Sequence, residues 1–301
     1  MHIAASSLLG ILTRAIGREN AASELRWITQ HARRHMLPPS AVAGMVARRV
    51  AGEPLQYILG TQPFGDLELI VRPPILIPRP ETEDWTIRLA KRITPVSNRP
   101  LRILDLCTGS GFIPLLLCHL LPPGSVQAVG VDLNPDAVKL SMDNARHCGI
   151  STDTKELGLR NVFTAAVGDV RSPEAALSNA LEAPFDVLTA NPPYIPRHEY
   201  ELLPKTVKKY EDLKALLSDQ PLDPGFHDDE KGLYFYRRIS ELVSRPGLLQ
   251  PGGTVVLEVG HDQARAVEIL LQATGGLKDT EIWRDPWGVE RVVLGQAPHT
   301  R

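Results

Sequence analysis

Apolar positions recur at helical spacing through the first fifty residues. Ile3, Leu8, Leu9, Leu12 and Ile16 fall on one side of a first segment. Leu25, Ile28 and Ala32 share a face behind Ser23, and Val42, Met45, Val46 and Val50 follow Ser40. Each serine stands where a helix N-cap is expected. The pattern then changes. From Gly52 to Pro80, two glycines (Gly60 and Gly65) and a series of prolines argue against any helix. Within that stretch Leu67, Leu69 and Val71 alternate with Glu68 and Ile70, the pattern of a short hairpin strand. The spacing predicts a helix next, over Glu83 to Ile93.

Beyond Arg99 short apolar runs alternate with helical stretches. The runs Arg102–Leu106, Val126–Asp132, Val162–Val167, Phe185–Ala190 and Thr254–Val259 read as buried strands. Pro135–His147 and Gln263–Gln272 read as helices between them. Strands separated by helices imply a parallel sheet with right-handed crossovers. The end of the chain differs. Thr280–Arg284 and Val289–Leu294 are joined by a turn through Asp285-Pro286-Trp287-Gly288, which suits an antiparallel pair at one edge. The expected organisation is a helical domain over 1–52, a β-hairpin-type connector over 53–82, and an α/β, Rossmann-like domain over 83–301 with an antiparallel C-terminal edge strand.

Composition narrows the function classes. With 33 Lys+Arg against 35 Asp+Glu, the formal charge of −2 provides no global field for holding nucleic acid. No apolar run approaches the ~18 residues of a membrane span. Cys107, Cys118 and Cys148 make neither a disulfide framework nor a metal-ligand spacing, which suggests a reducing compartment and no metal. From Met1 to Arg18 there is no acidic residue, while Arg14 and Arg18 sit among serines, a threonine and aliphatics. That suits a mitochondrial presequence and equally a plain first helix.

Candidate chemistry begins directly after the first buried strand, at Asp105-Leu106-Cys107-Thr108-Gly109-Ser110-Gly111. A glycine-rich turn opening a helix brings backbone N–H groups close to a ligand. Asp132 ends the second strand, 21 residues after Gly111, where an acid accepts bonds from two ribose hydroxyls. The dinucleotide fingerprint breaks, however, because Pro114 stands where its last Gly or Ala belongs. Asp105 would also set a negative charge near the loop, repelling a pyrophosphate but not a sulfonium. The loop therefore favours S-adenosylmethionine over NAD. Asp169, after the third strand, either meets the adenine amine together with the backbone at Val170 or caps its own turn.

The fourth strand leads into Asn191-Pro192-Pro193-Tyr194. Two prolines fix φ and remove two backbone donors, leaving a rigid turn with free acceptors. The Asn191 side-chain oxygen and the Pro192 carbonyl, beside the flat face of Tyr194, fit a planar NH₂ group. An amide nitrogen is a poor nucleophile because its lone pair is delocalised. Two acceptors can hold both its N–H bonds and aim the developing lone pair at a methyl carbon.

These residues together resemble the HemK/PrmC protein-(glutamine-N5) methyltransferases, which modify the Gly-Gly-Gln glutamine of class I peptide-chain release factors. The resemblance runs from about Ala22 onward. It is carried by Glu53–Gly60, by Ile77-Pro78-Arg79-Pro80-Glu81-Thr82-Glu83, by the loop, Asp132 and Asn191–Tyr194, and by Tyr210-Glu211, Gly232–Arg237 and Leu257-Glu258-Val259-Gly260. It implies a class I S-adenosylmethionine-dependent methyltransferase fold. By the resemblance Asp105, Cys107, Thr108, Gly109, Ser110, Gly111, Asp132, Asp169, Val170 and Asn191 border the cofactor. Asn191, Pro192, Pro193 and Tyr194 bind the glutamine amide, with Asn191, Pro192 and Tyr194 catalytic. The implied partner is a release factor, with a monomeric enzyme that is mitochondrial or, alternatively, cytoplasmic. The turn is shared with adenine-N6 methyltransferases, so a nucleic-acid amine is the alternative substrate. Three features depart from the family: Cys107 replaces a usual glycine, the helical domain is short, and Leu222 to Lys231 forms a longer acidic loop with Asp223, Asp228, Asp229 and Glu230.

Overall fold

The structure, a computed structural model, describes residues 5–94, 99–172, 184–218 and 231–299. Apart from Lys231, the acidic Leu222–Lys231 loop lies outside the described residues, as do the first four residues of the acid-free N-terminal stretch.

Three helices, α1 (Ala5–Ile16), α2 (Arg18–Arg34) and α3 (Pro39–Val50), close around Leu8, Leu12, Ala21, Ile28, Met45 and Val46. Leu12 is fully buried, so α1 is part of this core. Arg49 on α3 grips Glu24 on α2 through two bonds, at 2.6 and 3.1 Å. The caps differ from the sequence expectation. Helix α2 starts five residues before Ser23, whose hydroxyl donates back to the Asn20 carbonyl at 3.0 Å. Helix α3 starts at Pro39, whose fixed φ suits a first helical position, so Ser40 lies inside the first turn and makes no cap.

The stretch after Gly52 holds one short helix that the proline-rich reading excluded, α4 (Leu55–Leu59). Pro54 precedes its first turn, where a missing N–H costs nothing, and Gly60 ends it at φ 78°. The hairpin β1 (Thr61–Phe64) and β2 (Leu67–Ile70) follows, with Phe64, Leu67 and Leu69 buried against the main core. Helix α5 (Pro80–Arg92) begins three residues before the expected start, again with proline in its first turn.

The larger unit comprises β3 (Leu101–Leu106), α6 (Phe112–Leu120), β4 (Val126–Asp132), α7 (Pro135–His147), β5 (Val162–Val167), β6 (Phe185–Ala190), α8 (Arg197–Leu202), α9 (Lys205–Tyr210), α10 (Leu213–Leu216), α11 (Tyr234–Val243), β7 (Leu249–Glu258), α12 (Ala264–Ala273), β8 (Lys278–Arg284) and β9 (Glu290–Gln296). Its seven strands lie in the order β5-β4-β3-β6-β7-β9-β8. The first five run parallel, and β9 is antiparallel to both of its neighbours. The chain's last strand therefore inserts beside β7, and β8 forms the edge beyond it. Strand β3 is buried almost throughout because both sheet faces are covered. Trp85, Leu89, Phe112 and Leu115 pack on one face; Tyr236, Ile239, Val267 and Leu271 pack on the other.

Candidate active site

Strand order reverses between β3 and β6, which are sheet neighbours with Leu106 opposite Ala190. At such a switch point the loops leaving two adjacent strands diverge and open a crevice at the carboxyl ends. One of these loops is Cys107–Gly111; the other is Asn191–Tyr194. They meet across a cavity of about 280 Å³, near the lower end of small-molecule sites.

Backbone conformation shapes the first loop. Gly109 and Gly111 lie at φ 55° and 83°, and a Cβ on Gly111 would stand 3.0 Å from Ser141 Cβ. Cys107 also lies in the left-handed region, at φ 57°, where a glycine would be unstrained. Its thiol is held well above its ordinary pKa by burial, reinforced by the nearby Asp132 and Asp105, so it is no ready nucleophile. The loop is tied from behind. Asn144 on α7 donates to the Ser110 carbonyl at 3.0 Å and holds both backbone groups of Ile70 on the hairpin.

Asp132, at the end of β4, accepts from the Gly109 N–H at 2.8 Å and the Asn134 N–H at 2.9 Å. Each carboxylate oxygen keeps a further lone pair for a ligand hydroxyl. Burial raises its pKa, and those two backbone bonds work in the opposite direction. Asn134 itself caps α7 through its bond from Asp136 N, placing Leu133 and Asn134 on the cavity wall. Asp169 is engaged elsewhere. Arg171 donates to it from its backbone and from its guanidinium, at 2.8 to 3.0 Å. Burial pushes its carboxyl up, but the Arg171 bonds outweigh this and hold it below the usual value. Of the two expected adenine contacts, the backbone at Val170 is thus the open one.

The second loop is held by side chains from distant segments. Gln263 donates to the Tyr194 carbonyl at 2.8 Å and the Lys231 carbonyl at 2.7 Å, while its oxygen accepts from Gly260 N at 2.8 Å. The Tyr236 hydroxyl donates to the Glu258 carbonyl at 2.9 Å. Asn191 is 9% exposed and lines the cavity with Pro193. Its Nδ2 donates to Thr82 Oγ1 at 3.5 Å, and its Oδ1 accepts nothing among the described residues. No described backbone donor reaches the Pro192 carbonyl. Burial raises the pKa of Tyr194 above its ordinary value, so its phenol stays neutral.

Of the residues singled out from sequence, Cys107, Gly109, Asp132, Asp169, Val170, Asn191 and Pro193 line the cavity. Asp105, Thr108, Ser110, Gly111, Pro192 and Tyr194 do not. The expectation that Asp105 presents its charge to the ligand is corrected. Its side chain is fully buried beneath the loop and accepts from Thr189 Oγ1 at 2.6 Å. Burial drives its carboxyl up to about 7, with hydroxyl contacts offsetting part of that rise. Sequence reasoning did not find Leu76, Phe112, Asn134, Arg171, Asp212 and Phe235 on the wall. Asn134 alone carried a signal, as an Asn-Pro cap two positions after Asp132.

No protein-family model matches the chain. Curated relatives do. The chain is 37% identical over 257 residues to the release factor glutamine methyltransferase of Geobacter sulfurreducens, covering 85% of this chain and 78% of that one. It is 36% identical to the Moorella thermoacetica protein of the same name, over 83% and 77% of the two chains. Among solved structures, the N-terminal domain of human METTL16 in complex with SAH superposes with a TM-score of 0.51 at 15% identity, over 84% of this chain and 83% of that one. That last likeness concerns the fold, a class I methyltransferase sheet. The sequence identity reaches further, and by it this chain belongs to the release factor glutamine methyltransferase family.

Proposed function

We propose that this chain transfers a methyl group from S-adenosylmethionine to the side-chain nitrogen of the Gly-Gly-Gln glutamine in a class I release factor. The observation that carries the reading is the pair of open acceptors, Asn191 Oδ1 and the Pro192 carbonyl, on a proline-locked turn beside the β3 loop cavity. The donor set around that cavity fits the cofactor. Asp132 has spare lone pairs for two ribose hydroxyls, Cys107 and Gly109 line the wall beside it, and the Val170 backbone is open to an adenine edge.

When bound, the cofactor supplies a methyl group activated by a sulfonium. The protein supplies alignment. Asn191 Oδ1 and the Pro192 carbonyl hold the two N–H bonds of the glutamine amide and weaken its conjugation with the carbonyl. Pro193 keeps the turn rigid, and Tyr194 supplies an apolar plane beside it. With the cofactor bound, the nitrogen held by Asn191 and Pro192 would accept its methyl group, the bonding pair staying with the sulfur. One nitrogen proton then passes to water. No strong base is needed, because a methylated amide nitrogen bearing positive charge is strongly acidic.

Mass spectrometry of a recombinant class I release factor, incubated with this protein and S-adenosylmethionine, tests the reading. One added methyl on the Gly-Gly-Gln glutamine is expected. Labelling of adenine in a nucleic acid, with the release factor untouched, would overturn it in favour of the alternative substrate.

The finer placement in mitochondria rests on the acid-free run from Met1 to Arg18. Leu8 and Leu12 of that run also sit in the helical core. Fusion of residues 1–18 to a fluorescent protein tests the placement, and a diffuse cytosolic signal would refute it.

A further inference from the structure

Thr82 and Glu258, to which the sequence reading gave no role in the site, form a bonded pair beside Asn191. Strands β6 and β7 pair with Ala190 opposite Leu257, so Asn191 and Glu258 leave adjacent strand ends side by side. The first turn of α5 lies against them and contributes Thr82, which is fully buried. Thr82 Oγ1 donates to Glu258 Oε2 at 2.6 Å, and Trp85 Nε1 donates to the same oxygen at 2.8 Å. Glu258 is 1% exposed.

A hydroxyl has a single proton. Burial raises the pKa of Glu258, while the Thr82 and Trp85 bonds favour its charged form. With Glu258 ionised the proton goes to the carboxylate, the shortest contact Thr82 makes, and only acceptor capacity remains on Oγ1. The Asn191 side chain, 3.5 Å away, must therefore turn its NH₂ group toward Thr82. The flipped amide would set oxygen against oxygen with no proton between them. At 3.5 Å this contact is too long to add much strength, but its direction is determined.

We infer that Thr82 and Glu258 are positioning residues for methyl transfer, the Glu258–Thr82 pair orienting Asn191 so that Oδ1, not Nδ2, is left for the substrate amide. This inference rests on the proposed role of Asn191 as an amide acceptor. An Asn191 free to flip would present a donor to a donor for part of the time, and the substrate NH₂ would lose one of its two anchors. Cofactor contacts on the far wall would be untouched.

The test is steady-state kinetics on the full chain with a release factor, alongside cofactor titration and thermal melts. Thr82→Val keeps the shape and removes the hydroxyl; it is expected to lower kcat about twofold or more, with cofactor Kd unchanged. Thr82→Ser, which keeps the hydroxyl, is expected to match the parent. Glu258→Gln retains an oxygen for both donors and is expected to retain turnover, whereas Glu258→Met repeats the Thr82→Val loss. If Thr82→Val does not fold, Thr82→Cys, with similar volume and a feeble acceptor, is read in its place. Unchanged kcat in Thr82→Val, or equal losses in Thr82→Ser and Thr82→Val, overturns the inference. Asn191→Ala in the same assay separates the two levels. Retained turnover there refutes the acceptor role itself, while lost turnover with an unaffected Thr82→Val refutes only the orienting pair.

Discussion

Gln263 and Tyr194 are joined across 69 positions of sequence by a hydrogen bond of 2.8 Å from the glutamine side-chain nitrogen to the tyrosine carbonyl. The same side chain binds Lys231 and Gly260, so the end of the acceptor turn, the start of α11's approach and the exit of β7 converge on one amide. Close packing leaves no room for slack: a Cβ on Gly260 would lie 2.8 Å from the Tyr194 ring and 2.9 Å from Gln263 Oε1. Replacing Gln263 with Leu strands three backbone groups. A loss of about 1–3 kcal/mol is expected for such unsatisfied buried groups, with a lower melting temperature and reduced kcat. A melt and a turnover curve matching the parent would show that the turn holds without this amide.

Arg79 lies in the stretch between hairpin and sheet, and its Nη2 donates to both oxygens of Glu211 at 2.7 and 2.6 Å. The Glu211 side chain is 2% exposed, that of Arg79 37%. Arg79→Ala leaves a buried carboxylate alone, at a cost of up to about 3 kcal/mol given the half-open arginine. Arg79→Ala with Glu211→Gln should recover much of that loss. Urea melts of the single and double variants check this; an equally unstable double variant would rule out the stranded charge as the cause.

Asp105 should make stability depend on pH. Its carboxyl titrates near 7 in the fold against 3.8 ordinarily, so between those values the folded chain holds a proton that the unfolded chain has released. Stability from this group therefore falls as pH rises from about 4 to about 7. Asp105→Asn lacks the proton and should gain on the parent across that window, by a few kcal/mol at the order-of-magnitude level. Urea titrations at pH 4.5 and 7.5 measure the difference, and parallel pH profiles would contradict it.

Cys107 occupies a left-handed conformation. Cys107→Gly removes the strain but adds freedom to the unfolded chain, so stability should change by less than about 1 kcal/mol. Cys107→Val puts a β-branched side chain at positive φ and should cost more than about 1 kcal/mol. Equal stability of the two variants would show that the loop relaxes. At pH 8 iodoacetamide should label this thiol slowly, because its pKa is raised.

Asp132→Ala removes the acceptor of the Gly109 N–H together with the expected ribose contact. Cofactor affinity should fall by about tenfold or more, given the usual strength of charge-assisted bonds. Asn191→Ala should lose transfer and leave that affinity nearly intact. Calorimetric titration distinguishes them, and unchanged affinity in Asp132→Ala would remove the ribose assignment.

Much of this arrangement is legible along the chain because it is local. A strand, a turn and a helix leave their periodicities within about thirty residues, and the glycine loop and the Asn-Pro-Pro turn each sit at a strand end. Pro114 illustrates the reach of such reading. It breaks the dinucleotide fingerprint, and in the structure it takes the third position of α6, where its missing N–H is harmless. Short signals mislead where neighbouring residues compete. Ser23 and Ser40 look like caps, yet Pro39 and the wider apolar face of α2 start their helices earlier.

The sequence by itself determined the alternating sheet, the glycine loop at the end of β3 and the proline-locked turn at the end of β6, since each depends on residues close in the chain. Only the tertiary structure decided which of those residues face the cavity. Asp105 and Asp132 sit on neighbouring strands and, by the register, on the same face, but Asp105 lies one residue pair further back, beside Thr189, whereas Asp132 stands at the strand end on the wall. Likewise Thr82 and Glu258 lie 176 positions apart, and no local pattern announces their contact. Strand order and the direction of a single hydroxyl proton bring them to bear on Asn191, because both are set by packing between segments and not by the segments themselves.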